Sequence, residues 1–269
     1  MTQAEKSTEF GPTHIIDPIT EHTHTAILLH GRGSNGPEFA QELFEETLFA
    51  DGSSLAQRLP TWRWVFPSSG ELWSEAFQED MAAWFEAHSL TDITARQEVQ
   101  IPGIKESTEY AKTIIEDEIT KLDGASEKVI LGGISQGGAI AMWTLLNQSE
   151  KPFGAFFGTN TWLPFASSLQ ESLSRGTEMS EDEGVVFLAE MLGSPPSEGQ
   201  MPTRVFLGHG TDDAYVDVEL GRQARDVLTQ VGFSVVWKEY TGAELEGHWI
   251  KAPEELEDLL QFFTKTLIR

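Results

Sequence analysis

The chain contains no cysteine. Disulfides, thiolate metal sites and cysteine nucleophiles are thereby excluded. Positive charge is also scarce: 18 Lys and Arg stand against 43 Asp and Glu, a formal net charge of −25. A field of that sign repels phosphate backbones and anionic headgroups, so nucleic acid is not an expected partner. No run of residues is apolar enough for long enough to span a bilayer, which argues against stable membrane insertion. The opening residues Met1 to Phe10 lack the apolar core of a signal peptide. Together with the missing cysteines, this leans toward a cytoplasmic protein. There is no Walker loop and no dinucleotide fingerprint, and no cofactor is expected. His22 and His24 lie two apart with His14 nearby, but no clear third ligand accompanies them. They read as strand or turn residues, and no metal is expected. Nothing in the sequence speaks to oligomeric state.

What is present suits an α/β protein. The 269 residues can form one domain from residue 25 to 269, preceded by a loose arm and first strand over residues 1–24. Short apolar runs alternate with longer amphipathic segments, the mark of a mostly parallel central sheet with helices on both faces. Strands are predicted at His14–Ile19, Thr25–His30, Trp62–Phe66, Lys128–Gly132, Phe153–Gly158, Thr203–Gly208 and Phe233–Glu239. Helices are predicted at Pro37–Phe49, Ser107–Leu122, Gly137–Leu146, Glu219–Val231 and Pro253–Leu267, with Gly232 as a C-cap. Two excursions break the rhythm. Residues 67–102 read as a long connection with short helices, and residues 167–202 contain a short helix at Val185–Leu192. Both are candidate lids or pocket walls.

The strongest chemical signal is Gly132-Gly133-Ile134-Ser135-Gln136-Gly137-Gly138. It contains G-x-S-x-G between an apolar strand and a helix-compatible run, the context in which a sharp turn lifts a serine hydroxyl to the carboxyl end of an α/β-hydrolase sheet. A serine hydroxyl needs a base. In this fold the acid and then the histidine follow the serine in the chain. His248, after the last predicted strand, is the expected general base. The acid falls in Thr211-Asp212-Asp213, and spacing does not choose between the two aspartates. The oxyanion hole is expected from the backbone N–H of Gln136 and of Arg32, which follows the strand ending at Leu29-His30-Gly31. The Arg32 side chain is expected to face solvent. Trp73, Phe77, Trp162 and Trp249 are candidate substrate-pocket walls.

These pieces, with Trp84-Phe85, Gly103-Ile104, Trp162-Leu163-Pro164, His209-Gly210-Thr211-Asp212-Asp213 and Gly247-His248, occur in the order seen in a known family. The chain resembles the phospholipase/carboxylesterase family that includes the acyl-protein thioesterases, over roughly residues 25 to 265. The resemblance selects Asp213 as the acid and implies hydrolysis of carboxylic esters or thioesters without a cofactor. Its implied substrates are small-molecule or lipid esters, lysophospholipids among them, or S-acylated proteins. The sequence departs from the family where Arg32 replaces an apolar residue, where Trp249 follows the histidine in place of a small one, and in the length of Ser167 to Pro202. A hydrolase-fold binding module without turnover is the alternative from another class, and it would be expected to lack a triad member.

Overall fold

The computed structural model describes residues 9–74, 78–89, 92, 95–148, 152–175, 183–192 and 203–267. In chain order these form β1 (His14–Ile16), β2 (His24–Leu29), α1 (Gly36–Gln41), α2 (Leu55–Arg58), β3 (Trp62–Phe66), β4 (Gly70–Ser74), β5 (Glu79–Ala83), α3 (Ile101–Lys121), β6 (Val129–Ile134), α4 (Ser135–Asn147), β7 (Ala155–Thr159), α5 (Ala166–Arg175), α6 (Glu183–Met191), β8 (Arg204–Gly210), α7 (Val218–Val231), β9 (Ser234–Tyr240) and α8 (Glu254–Leu267). Seven strands make one sheet in the order β1-β3-β2-β6-β7-β8-β9, and β4 and β5 pair as a separate hairpin. Within the large sheet β1 runs antiparallel to β3, and the other pairs are parallel.

The side chains explain why helices cover both faces. Along β2, Ile27 and Leu29 enter one apolar cluster with α3, α4, α5, α6 and α7, while Ala26 and Leu28 enter a second with α1, α2 and α8. A parallel strand covered on both sides must be apolar at every position, and β6 is buried along its whole length. Helix α4 shares that condition. Every residue from Gln136 to Leu146 is buried, so the helix has no polar face. It is wedged between the sheet and helices α3 and α6. Each fully buried Trp143- or Ile140-sized side chain contributes about 1.5–3 kcal/mol of transfer free energy there.

All seven strands expected from sequence lie in the large sheet, with ends shifted by up to three residues. The region 67–102 departs from expectation. It holds the β4–β5 hairpin, which was not expected, besides a short 3-10 helix at Gln97–Gln100, and α3 begins inside it at Ile101, with Pro102 in its first turn. The period-two signal of β4 rests on Gly70, Leu72 and Ser74, of which only Leu72 is a large apolar residue, while Glu71 and Trp73 point outward. Apolar periodicity alone does not register such a strand. In region 167–202 the expected short helix is present as α6, and α5 is an additional one. These two helices pack against α4 and α7. None of their described residues lines the cavity that holds Ser135.

A carboxyl group at the start of α8 lies wholly inside the fold. Glu255, in the first turn of α8, accepts a hydrogen bond from Thr159 Oγ1 at 2.8 Å and one from the Lys251 N–H at 2.9 Å. It thereby ties the end of β7 to the start of α8. Burial drives its pKa up to about 7, against the two donors that favour the charged form. The folded chain thus holds this proton more tightly than an unfolded chain, whose carboxyl titrates near 4.5. This contribution to stability is fully present below that value and is lost as pH rises through about 7. Urea unfolding between pH 4 and pH 8 is expected to show the native chain losing about 2–3 kcal/mol relative to Glu255→Gln across that window. Parallel curves for the two proteins would refute the assignment. At the other end of α7, Gly232 has φ +110° with open space around its α-carbon. Gly232→Ala is therefore expected to cost about 1 kcal/mol through the backbone alone, read as a lowered urea midpoint with unchanged slope.

Candidate active site

The carboxyl ends of β2, β6, β7 and β8, and the loop after β9, converge at one edge of the sheet. That edge is where open α/β sheets bind ligands. Ser135 stands at the β6–α4 junction with φ +53°, a left-handed conformation that a side-chain-bearing residue adopts at a cost of about 1–2 kcal/mol. Close packing enforces it. A Cβ on Gly137 would lie 2.3 Å from the carbonyl oxygens of both Leu29 and His30, so α4 approaches β2 as only glycine permits. Thr161 Oγ1 donates to the Ser135 carbonyl at 2.7 Å and fixes the turn from the β7 side.

His248 Nδ1 and Asp213 Oδ2 are 2.7 Å apart, and the Asp213 side chain is shielded from solvent. The other oxygen, Oδ1, accepts from the N–H groups of Tyr215 at 2.8 Å and Val216 at 2.9 Å. Burial acts to raise the Asp213 pKa. The hydrogen bond and charge of His248, with the two backbone donors, outweigh it and leave the carboxyl below its ordinary value. An ionised, immobile carboxylate accepts from Nδ1–H, which leaves Nε2 of a neutral His248 as the free lone pair. Asp212, the alternative that spacing left open, instead accepts from the Gly242 N–H and stays exposed.

Sequence reasoning did not assign several supports of this arrangement. His209 Nε2 donates to the Val216 carbonyl at 2.9 Å and lies 3.5 Å from Asp213 Oδ2. Burial lowers its pKa, so it is a neutral donor and not a competing base. Asn160 accepts from the Gly210 N–H through Oδ1 and donates to the Trp249 carbonyl through Nδ2. One side chain thus spaces the end of β8, which leads to Asp213, from the loop that carries His248. His30 is fully buried. Its Nε2 accepts from the Ser69 N–H and its Nδ1–H donates to the Gly31 carbonyl, while burial brings its pKa down to about 4. His30 and His209 stand in the motifs that carry the family resemblance, without an assigned role, whereas only its place at the end of β7 could have marked Asn160 in advance.

The Gly31–Arg32 peptide lies against the nucleophile: a Cβ on Gly31 would sit 3.4 Å from Ser135 Cβ. The Gln136 N–H belongs to the first turn of α4, where backbone donors lack intrahelical acceptors. The Gln136 side chain has a different task. It accepts from the Trp84 N–H and donates to the Phe85 carbonyl, both at 2.8 Å, clamping the segment after β5 onto α4. The hairpin also reaches the Arg32 loop, through the Gly33 N–H to the Ala82 carbonyl at 2.8 Å.

Ser135, His248, Gln136, Arg32 and Trp162 line one cavity of about 340 Å³, together with Met81, Tyr215, Val216 and Leu245. A larger hollow of about 530 Å³ between α2 and α8 has neither a serine nor a histidine in its wall. Of the expected pocket walls, Trp162 is in place. Trp249 is not: it is buried in the core of the α1–α8 face, edge-on to Phe39, and its indole N–H donates to Thr47 Oγ1. Trp73 points outward on β4, half exposed and away from the cavity. Phe77 lies outside the described residues. The Arg32 side chain also differs from expectation. It lines the cavity, half-buried, with Nε 3.1 Å from Met81 Sδ. His22 and His24 bond Thr25 and Thr23, and no group of three or more candidate metal ligands occurs among the described residues. No helix among them is long and apolar enough to cross a membrane.

The chain is 27% identical over 257 residues to acyl-protein thioesterase 1 of Gibberella zeae, covering 94% of each sequence. It is 26% identical over 260 residues to acyl-protein thioesterase 1 of Yarrowia lipolytica, covering 95% of this chain and 97% of that one. In three dimensions it resembles Zea mays acyl-protein thioesterase 2, with a TM-score of 0.68 at 24% identity over 96% of this chain and 99% of the other. Residues 11–182, which carry both the Arg32 loop and the Ser135 turn, match the Phospholipase/Carboxylesterase family, and the chain accordingly belongs to that family of α/β-hydrolase-fold ester and thioester hydrolases.

Proposed function

We propose that the chain hydrolyses carboxylic esters or thioesters through an acyl-enzyme on Ser135. The observation that carries this reading is the His248–Asp213 pair at 2.7 Å, beside a serine held at positive φ in the wall of the same cavity. His248 Nε2 takes the Ser135 hydroxyl proton as Oγ attacks the acyl carbon. The carbonyl oxygen becomes an oxyanion, held by the N–H groups of Gln136 and Arg32. Collapse expels the alcohol or thiol, which receives the proton from His248. Water then adds to the acyl-enzyme by the same base, and the acid leaves.

The cavity volume of about 340 Å³ is at the low end for ligand sites and fits a short acyl group. Its rim is apolar: Tyr215, whose ring centre is 5.3 Å from that of His248, and Leu245 are both well exposed. The curated relatives are named as thioesterases of acylated proteins. For this chain the cavity favours small esters and thioesters as substrates, in the cytoplasm of the cell. Segment 67–102 acts as a wall of the pocket, through Met81, Ala87, Ser89 and Gln100.

Ser135→Ala is expected to lower kcat by at least roughly 10⁴-fold while thermal unfolding stays near the native value. A variant with native-like turnover would remove Ser135 from the mechanism. Asp213→Asn is expected to cost roughly 10⁴-fold, because an amide donating to Nδ1 places the proton on Nε2. A loss under tenfold would mean that the carboxylate serves the fold alone. Among p-nitrophenyl esters and matched thioesters of graded acyl length, kcat/KM should peak at the short members. A peak at the long members would transfer the assignment to long-chain acyl substrates.

A further inference from the structure

The cavity contains a cation for which the acyl transfer has no use. Arg58, Arg63, Arg96, Arg222 and Arg225 each hold a carboxylate in an ion pair. Arg32 holds none among the described residues. Its Nε is spent on the Met81 thioether, a weak acceptor, and its Nη1 is buried without any hydrogen-bond partner. Glu86 is the carboxylate nearest in effect, but it is exposed and makes no contact pair with Arg32. Burial pulls the Arg32 pKa below its ordinary value, with the Glu86 charge acting the other way; an arginine in this state stays protonated. A second wall residue has the same deficit, since the Trp162 indole N–H is also buried and without a partner among the described residues. Two orphan donors in the wall of a single cavity, one of them cationic, leave an unfilled requirement for acceptor oxygens.

We propose that the Arg32 side chain is a specificity-determining group that selects substrates bearing a carboxylate beside the scissile ester or thioester. The inference rests on the hydrolase reading of Ser135 and names the substrate class of that site. The planar guanidinium matches a carboxylate in two parallel hydrogen bonds, and such charge-assisted bonds strengthen where water is excluded. The overall charge of −25 opposes an anionic ligand at long range. Salt screens that field beyond about 10 Å, whereas the contact with Arg32 is made inside the cavity. The carboxylate can belong to the acyl chain or to the leaving group.

The test uses two pairs of thioesters. In one pair the acyl chain ends in a carboxylate or in its carboxamide; in the other a simple acyl group is carried on 3-mercaptopropionate or on its amide. The native enzyme is expected to favour the charged member of one pair by roughly 10-fold or more in kcat/KM. The pair that shows the preference identifies which side of the scissile bond carries the anion. Arg32→Leu should bring that ratio to about one, and Arg32→Lys should keep part of it. Using the ratio cancels any general loss from disturbing the loop. If Arg32→Leu turns over neither member, the same ratio is read as Kd in a Ser135→Ala background with and without Arg32→Leu. A native ratio at or below one in both pairs, or a ratio unchanged in Arg32→Leu, overturns the proposal. Persistent turnover by Ser135→Ala would instead overturn the hydrolase reading and leave the Arg32 ratio to be judged alone.

Discussion

The backbone of Ser135 is the constraint on which the rest of this structure depends. A non-glycine residue at φ +53° persists only when its surroundings over-determine it. Here they do so from three sides. Helix α4 is packed so tightly against β2 that Gly137 has no room for a side chain, Thr161 holds the Ser135 carbonyl, and the Gln136 amide pins the segment after β5. Each hold requires a neighbouring strand in register. The all-apolar β6 and the all-buried α4 are what keep those neighbours close.

A second theme is how the sheet edge disposes of its polar groups. Strand ends leave backbone donors and acceptors without ladder partners, and a buried orphan costs about 1–3 kcal/mol. Asn160, Thr161, His30 and His209 answer that need with bonds to backbone groups. The Asn160 bonds also set the spacing between the end of β8, which leads to Asp213, and the His248 loop. Satisfaction of the backbone and alignment of the triad are one network, which is why Asp213 can be ionised though shielded from water.

Much of this was legible in the chain itself. Periodicity located the seven strands of the large sheet, and the glycine-rich turn located Ser135 at the end of β6. What stayed hidden shares a physical reason. Residue type reports that a side chain is apolar but not which apolar surface it joins. Trp162 and Trp249 are alike in sequence, yet one meets the cavity and the other meets Phe39 and Thr47. The β4–β5 hairpin escaped because two of the three inward positions of β4, Gly70 and Ser74, are small and not apolar side chains. Arg32 was misjudged because an arginine's usual exposure is a statistical habit, and the hairpin covers this one.

That hairpin stands outside the large sheet. It meets the Arg32 loop through one peptide hydrogen bond and one thioether contact, while no strand of the large sheet pairs with it. In engineering terms it is a cassette. Its outward residues, Glu71 and Trp73 among them, can be exchanged without altering the large sheet or its register. Met81, by contrast, lines the cavity and touches the Arg32 guanidinium, so its side chain shapes the space beside that cation without contacting the Asp213–His248 pair. A lineage built on this scaffold can revise what it cleaves at one hairpin position and keep how it cleaves.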